Sequence, residues 1–326
     1  MNIGRRAVAF ACLCVLASWA GLPARAQDYP NRPVRILSGF PPGGATDLVG
    51  RLLADHLSQT MGQPFVVENR TGASGIVAGQ ALVAAPADGH TLYVVNFSIM
   101  STSRAMYPSM AYDAATAFVP ITLLARAHMV LEVSAHVPAK TYADFLAYAR
   151  ANSGKINHGS PGVGTLMHLC DQLFSQRIGF ASEHAPYRGV APFAQGLGKG
   201  EVQWGFDSSF NALQVQRSGQ GRPIATATAQ RLPAFADVPT LAELGMADAV
   251  WSNWFGLVAA AGTPRPIVEK IAAEAAAGWK TPAVAERIRN AGFEPETMTP
   301  DETARFFAAE RARWTEVVKA NNLKAE

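Results

Sequence analysis

The sequence is poor in cysteine, and this limits the ways in which the fold can be stabilised. Its 326 residues include three cysteines, and two of them, Cys12 and Cys14, lie in an N-terminal leader that we expect to be removed. The third, Cys170, then has no partner for an internal disulfide. Stability must therefore come from buried apolar surface, which a chain of about 300 residues can supply in one or two cores.

Long hydrophobic runs are also scarce, and the first one has the features of a secretory signal. Arg5 and Arg6 precede an apolar segment at residues 7–19, and Ala24–Ala26 matches an A-x-A cleavage site. The segment is too short to span a bilayer comfortably, and no second run of spanning length follows. The sequence predicts that residues 1–26 are cleaved and that the mature chain is exported to the periplasm without membrane insertion. A lipoprotein signal at a leader cysteine is the weaker alternative, because cleavage there would remove most of the apolar segment.

Excess charge of either sign is absent from the expected mature chain. The whole sequence contains 28 Lys and Arg against 25 Asp and Glu, with a pI near 8.8. Three arginines but no acidic residue belong to the leader, so the mature chain is formally neutral. The sequence therefore predicts no nucleic-acid partner.

Signatures of catalysis, metal binding and nucleotide binding are missing as well. The nearest match to the G-x-S-x-G serine motif, Gly72–Ile76, fails at its last position. The histidines form no H-E-x-x-H pair and no zinc-type cluster, and no lysine follows Gly43 and Gly44 as a phosphate-binding loop requires. We therefore expect no catalysis, no metal and no cofactor. An exported hydrolase of carboxylic esters or amides is kept as the alternative.

A strand, a glycine-rich turn and a helix follow one another at the start of the expected mature chain. The run Val34–Leu37 alternates at a strand's period, and residues 49–57 carry apolar side chains at a helix's period. Between them, Phe40–Asp47 holds two prolines, which end the strand, and two glycines, which let the backbone turn. Thr46 or Asp47 is predicted to cap the helix. Such a turn directs free N–H groups and the positive end of a helix dipole at one point, which favours an anion.

The next elements extend this pattern to a βαβαβ unit. The pattern predicts strands at Phe65–Glu68 and Thr91–Asn96, with a helix at Ile76–Ala85 between them. Such a unit starts a parallel sheet, in which ligands bind beyond the carboxyl ends of the strands. Those ends are the first turn, the turn Asn69–Gly75 and the segment at Ser98.

A second strand–turn–helix unit lies in the middle of the chain. Ile156–Ser160 is predicted to be a strand, and the turn Pro161–Thr165 leads into a helix. Thr165 is either a helix cap or a hydroxyl that donates to an anion. The strand Val202–Asp207 ends in an acid that either contacts a ligand or caps the next helix. Two helix starts that favour anions indicate two lobes that face each other.

Several motifs, in order along the whole mature chain, resemble one family. They are YPNRPVRILSGFPPGGATD, GQPFVVENRTGASG, APADGHTLYV, INHGSPGVGT, APYRG, FDSS, LPAFADVPTLAELG and WFGLVAAAGTPRPIV. They are similar to motifs of the Bug family, the periplasmic solute-binding proteins of tripartite tricarboxylate transporters. The resemblance implies a two-lobed α/β fold, a type II-like periplasmic binding protein, with two crossover segments. It also implies a ligand cleft between the lobes and no enzymatic activity.

The resemblance further implies where the chain passes between the lobes. It places residues 27–126 and 229–326 in the first lobe and residues 127–228 in the second. The first passage falls between two strands that the apolar pattern predicts separately, Thr122–Leu124 and Met129–Val133.

Known members of the family bind small carboxylates, including di- and tricarboxylates, acidic amino acids and aromatic acids. The resemblance therefore implies a carboxylate held by the first turn, with the loop of the second lobe contributing and the acid that ends a strand lying near the ligand. The predicted ligand-binding residues are Phe40, Gly43, Gly44, Ala45, Thr46, Asp47, Ser98, Ser160, Gly164, Thr165 and Asp207. For the two acids, and for Ser98 and Ser160, a purely structural role is equally consistent with the sequence.

Four positions in the second lobe qualify this expectation. Leu166 and Met167 replace the small hydroxyl residues that commonly follow the threonine in the family, which favours an aromatic or less polar carboxylate over citrate. Trp204 is expected to be a core residue, with stacking on a ring-bearing ligand as the alternative. His168 matches a family histidine and is expected to pack within the fold rather than to touch ligand.

The expected mechanism is capture of the carboxylate by closure of the two lobes. The partners implied are inner-membrane transporter subunits, with a sensor protein as the alternative. The protein is expected to be a monomer.

Overall fold

The computed structural model describes residues 29–320. The expected signal peptide, residues 1–26, lies outside the described residues, and its cleavage stays a prediction. Within the described part of the chain, no helix has the length and apolar character needed to cross a bilayer.

The structure begins with the βαβαβ unit that the sequence predicts. Its elements are β1 (Val34–Ser38), α1 (Ala45–Met61), β2 (Phe65–Asn69), α2 (Ile76–Val83) and β3 (Thr91–Asn96). Strand β1 pairs in parallel with both β2 and β3, so the predicted parallel sheet is confirmed. The apolar face of α1 packs with the buried side chains of β1 in one core cluster.

The segment after β3 is helical, which the apolar pattern does not predict. A π-helical turn, Ser98–Thr102, continues into α3 (Ser103–Met106), and α4 (Ala114–Ala117) follows. Immediately before the turn, the ring of Phe97 lies 5.0 Å from that of Trp314. The segment is therefore supported by packing against a residue near the far end of the chain, which no local pattern reveals.

The middle of the chain adds a second group of alternating strands and helices. They are β4 (Phe118–Ser134), α5 (Tyr142–Ala151), β5 (Asn157–Ser160), α6 (Leu166–Ile178), β6 (Glu183–Pro186), α7 (Val190–Lys199), β7 (Trp204–Ser208), α8 (Ser209–Ser218) and β8 (Gly221–Thr226). The C-terminal part contributes β9 (Ser252–Ala260), α9 (Arg265–Trp279), α10 (Pro282–Asn290), β10 (Glu294–Pro295) and α11 (Pro300–Ala320). Strand β5 runs parallel to β6 and β7. Both groups therefore contain parallel strands that end in glycine-rich turns.

Strand β4 joins the two groups because it belongs to both. Its first part pairs with β9, and residues 129–134 pair with β7 and β8. The prediction of two separate strands here, Thr122–Leu124 and Met129–Val133, is wrong. Arg126 interrupts the apolar pattern, but it forms an ion pair with Glu296, so the strand continues across it.

The strand order is β2-β1-β3-β9-β4-β7-β5-β6, and β8 and β10 also pair with β4. Strand β4 carries the chain from the first group to the second, and residues 227–251 carry it back to β9. This α/β architecture with two passages agrees with the two-lobed binding fold that the sequence predicts. The lobe limits, 27–126 with 229–326 and 127–228, stay a prediction.

Candidate ligand-binding site

The carboxyl ends of β1, β2 and β3 meet at one edge of the sheet. The backbone N–H of Arg70 donates to the carbonyl of Ser38 at 2.7 Å, and Asn69 Nδ2 donates to the carbonyl of Phe40 at 3.0 Å. A Cβ atom added to Gly39 would lie 2.6 Å from the Cα atom of Gly75. Because the first two turns pack this closely, glycine is required at this contact.

The start of α1 presents backbone N–H groups that the helix does not use. The first intrahelical bond runs from Leu48 N–H to the carbonyl of Gly44, 3.0 Å away, and Gly44 supplies no side-chain cap. The N–H groups of residues 45–47 precede that bond and have no intrahelical acceptor. Gly43 turns the chain with φ of +82°, and a Cβ atom added there would meet nothing within 4 Å. The turn therefore offers donors beside open space.

The predicted cap of α1 is wrong. The helix begins at Ala45 with Gly44 as its N-cap, so Thr46 and Asp47 lie within the first turn rather than before it. A glycine at the N-cap has no side chain that would mark the start of the helix in the sequence. The hydroxyl and carboxylate residues that follow it therefore led to a predicted helix start that is too late. The placement leaves the role of Thr46 in ligand binding a prediction.

Asp47 organises the turn that precedes it. Its side chain is 3% exposed and accepts hydrogen bonds from Gly43 N–H at 3.0 Å, from Asn69 Nδ2 at 2.9 Å and from Arg51 Nε at 2.8 Å. Burial alone would raise the pKa of Asp47, but these donors and the charge of Arg51 outweigh it and lower the pKa. The carboxylate is therefore charged and bound to its own loop. Direct contact with a ligand stays a prediction.

The second glycine-rich loop, residues 160–165, is also held by its own hydroxyls. Thr165 caps α6, since its Oγ1 accepts from His168 N–H at 3.4 Å, and the same hydroxyl donates to the carbonyl of Gly162 at 2.8 Å. The helix-cap alternative for Thr165 is therefore confirmed, and its role as a donor to the ligand is untested. Ser160 Oγ accepts from Gly162 N–H at 3.3 Å and lies 2.7 Å from His184 Nε2. Whether these hydroxyls also reach a ligand stays a prediction.

Gly164 brings the two groups of strands into contact. It has a φ of +79°, and a Cβ atom added there would lie 3.2 Å from Met106 Cε. Its carbonyl accepts from Thr102 Oγ1 at 3.2 Å. Thr102 Oγ1 also lies 3.1 Å from the carbonyl of Ser98, so its single proton is shared between the two carbonyls. The structure therefore places the segment at Ser98 and the loop of the second group side by side.

Three imidazole rings stack beneath the second loop. The ring centroids of His168 and His184 lie 4.1 Å apart, and the ring of His158 also stacks on His184, with centroids 5.0 Å apart. Burial, with smaller contributions from the neighbouring rings, lowers the pKa of His158 and of His168 to about 3, and burial lowers that of His184 to about 4. All three rings are therefore neutral near pH 7.

Asp207 is fully buried at the end of β7. Its Oδ1 accepts from Ser208 N–H at 2.6 Å and from Asn211 Nδ2 at 2.9 Å, whereas its Oδ2 has no partner among the described residues. Burial raises its pKa to about 7. Glu132 is also buried, and burial together with the charge of Asp207 raises its pKa well above the usual value. The cap of α8 is Ser208, so the alternative that Asp207 caps this helix is wrong.

Sequence reasoning missed several residues that the structure brings to this region. Thr102 was missed because the π-helical turn has no apolar period, and His184 because nothing local links it to Ser160. Ser38 was the most accessible to reasoning, since it ends β1 directly before the first turn. Its buried Oγ has no partner among the described residues. Trp204, by contrast, is fully buried against Phe174, which confirms the core interpretation.

Comparisons with known proteins agree with this architecture. The family model for the tripartite tricarboxylate transporter family receptor matches residues 49–323. The chain belongs to this family. The match starts just after the first turn, but relatives extend across it: Protein BugT of Bordetella pertussis is 32% identical over 317 residues, which cover 96% of this chain and 97% of that one. Members are substrate-binding receptors, and this protein is a receptor rather than an enzyme.

Two similar solved structures hold bound acids. MatC from Rhodopseudomonas palustris with bound malate is 30% identical and superimposes with a TM-score of 0.81, covering 89% of this chain and all of that one. Rpa4515 of R. palustris with adipate is 34% identical with a TM-score of 0.87, covering 91% of this chain and all of that one. The receptor therefore shares its whole described fold with proteins that hold dicarboxylates.

Proposed function

We propose that this receptor captures a small carboxylate in the periplasm and presents it to a tripartite tricarboxylate-type transporter. The observation that carries the proposal is the start of α1, where the N–H groups of residues 45–47 have no intrahelical acceptor and no side-chain cap from Gly44. Aligned N–H groups and the positive end of a helix dipole stabilise an anion. The malate and adipate of the two similar structures fit such a site.

The ligand is proposed to lie between the first turn and the loop at residues 160–165. The first turn would hold one carboxylate through backbone donors, with Asp47 keeping the turn in shape. The second loop and the end of β7 would contact the rest of the molecule. The absence of side-chain hydroxyls at Leu166 and Met167 favours an aromatic or less polar carboxylate over citrate at this end.

Closure is proposed to occur about the two passages, β4 and residues 227–251, with lobes at 27–126 plus 229–326 and at 127–228. A ligand that contacts both lobes favours the closed state, because only that state offers both sets of contacts. The closed form would then present the surface that the transporter recognises.

A thermal-shift panel tests the proposal. Two samples of the mature protein would be compared: the protein as purified, and protein freed of ligand by denaturation and refolding. Each would be heated alone and in the presence of malate, adipate, citrate, aspartate, glutamate, nicotinate, benzoate or phthalate. A carboxylate ligand raises Tm increasingly with concentration, as mass action requires. The corresponding amides and alcohols serve as controls. The proposal is overturned if no acid stabilises the refolded protein, or if the neutral analogues stabilise it equally.

A further inference from the structure

Gly164 is held by two side chains, one on each of the peptide groups that flank its Cα atom. Its carbonyl accepts a hydrogen bond from Thr102 Oγ1 at 3.2 Å, and its N–H donates to His168 Nδ1 at 3.2 Å. Thr102 is 1% exposed and His168 is 5% exposed. Buried hydrogen bonds of this kind fix orientation, because breaking either one leaves a backbone group unpaired.

The Thr102 side of this clamp belongs to a firmly supported segment. Ser103 Oγ donates to the carbonyl of Ile99 at 2.7 Å within the helical turn, and Phe97 packs on Trp314 at its start. Met106, one turn further on, contacts Gly164 so closely that no larger residue would fit without a shift. The second loop therefore packs against a segment that is itself held in place by contacts with other parts of the chain.

The His168 side belongs to the imidazole stack. His168 stacks on His184 at 4.1 Å between centroids, and His184 in turn contacts Ser160 Oγ at 2.7 Å. The stack therefore touches both the beginning and the end of the loop. Nδ1 of His168 can accept from Gly164 only while the ring is neutral, as its burial ensures.

We propose that Thr102 and His168 are positioning residues of the carboxylate site. His168 sets the orientation of the peptide group before Gly164 through its N–H. Thr102 binds the carbonyl of the peptide group after it and so links the loop to the segment that follows β3, which couples the placement of the loop to closure of the cleft. Neither side chain needs to touch the ligand. This inference rests on the proposed function, since it concerns how the same site is assembled.

The Thr102 half of the proposal predicts weaker carboxylate binding in addition to the loss of stability that an unpaired buried carbonyl brings. Thr102→Val keeps the shape and removes the donor, Thr102→Ser keeps the donor, and Ser103→Ala removes a neighbouring hydroxyl that makes no contact with the loop. By calorimetry with malate and adipate, Thr102→Val should raise Kd about threefold to tenfold, mainly through faster dissociation. Thr102→Ser and Ser103→Ala should stay within about twofold of the wild type.

The His168 half has a readout that needs no ligand. His168→Asn keeps an acceptor near the position of Nδ1, whereas His168→Leu keeps bulk and removes the acceptor. Amide hydrogen exchange at Gly164 should be faster in His168→Leu than in the wild type and close to wild type in His168→Asn. Affinity for the carboxylate should follow the same order.

The outcomes separate this inference from the proposed function. If the wild type binds neither malate nor adipate nor any other acid of the panel, the carboxylate function and this inference both fall. If the wild type binds a carboxylate and Thr102→Val binds it as tightly, only the inference about positioning residues is contradicted. Equal loss of affinity in Thr102→Val and Ser103→Ala, or equal exchange at Gly164 in both His168 variants, would also overturn it.

Discussion

The carboxylate of Asp47 accepts a hydrogen bond from the backbone N–H of Gly43, four residues earlier, at 3.0 Å. This bond closes the first turn around its own glycine, next to the N–H groups at the helix start that have no intrahelical acceptor. Asp47 is thereby a support for the proposed anion site as well as a favourable charge at a helix N-terminus.

Replacing Asp47 should damage both the fold and the site. Asp47→Ala removes the acceptor of Gly43, Asn69 and Arg51, so we expect unfolding by denaturant to show a loss of about 1–3 kcal/mol and calorimetry to show weaker carboxylate binding. Asp55→Ala is the matched control, because Asp55 lies on the same helix with its side chain 59% exposed. Wild-type affinity in a folded Asp47→Ala protein would contradict this role.

Removing one backbone donor should weaken binding with little effect on the fold. Ala45 is the first residue of α1, and the preceding Gly44 has φ of −78° and ψ of 171°, a conformation that a following proline accepts. Ala45→Pro should therefore fold and raise Kd about tenfold or more, since a hydrogen bond to a charged group is lost. Ala114→Pro, at the start of α4, makes the same change away from the site. Equal affinities in the two variants would count against the helix start as the anion site.

The imidazole stack predicts a specific dependence on pH. The pKa of His168 is lowered from 6.5 to about 3, first by burial, so between these values the unfolded chain binds a proton that the folded chain does not. The wild type should lose stability as pH falls, relative to His168→Asn, by about 1.4 kcal/mol per pH unit between about pH 6 and 4. Denaturant unfolding of both proteins across this range measures the difference. A difference that is constant with pH would show that His168 titrates normally.

Asp207 should have the opposite dependence. Its pKa is raised from 3.8 to about 7 by burial, so the folded state keeps a proton that the unfolded chain has lost. Stability contributed by this proton is lost as pH rises from about 4 to 7. The free energy of unfolding of Asp207→Asn should therefore rise relative to that of the wild type as pH rises over that range. The exposed Asp248, whose pKa is lowered first by its hydrogen bond to Arg177, is the control: Asp248→Asn should show no such gain.

Clear periodicity explains what could be predicted from the sequence. The strands and helices of the first unit follow an unbroken apolar pattern, and β3 was predicted with its observed limits, Thr91–Asn96. The cap at Thr165 was one of two alternatives that the sequence left open, because a hydroxyl before an apolar helix can either cap it or bind an anion. The family motifs supplied what periodicity could not, namely the two passages of the chain.

The failures have equally local causes. The break predicted in β4 is wrong because residues 125–128 pair with β9, a strand that lies far along the sequence. The segment 98–106 was missed because its helical form depends on packing between Phe97 and Trp314 rather than on its own pattern. The two hydrogen bonds that hold Gly164 come from Thr102 and His168, which meet only in the folded structure, so no spacing in the sequence indicates them.

The central claim is that a carboxylate binds the N–H groups at the start of α1, and amide chemical shifts test it most directly. Isotope-labelled, ligand-free protein would be titrated with the acid that the thermal panel identifies. The account predicts that the amide protons of Ala45, Thr46 and Asp47 move downfield as the ligand saturates the protein, with larger shifts than the same residues show in the neutral amide control. Saturating binding that leaves these three amides unmoved would contradict it.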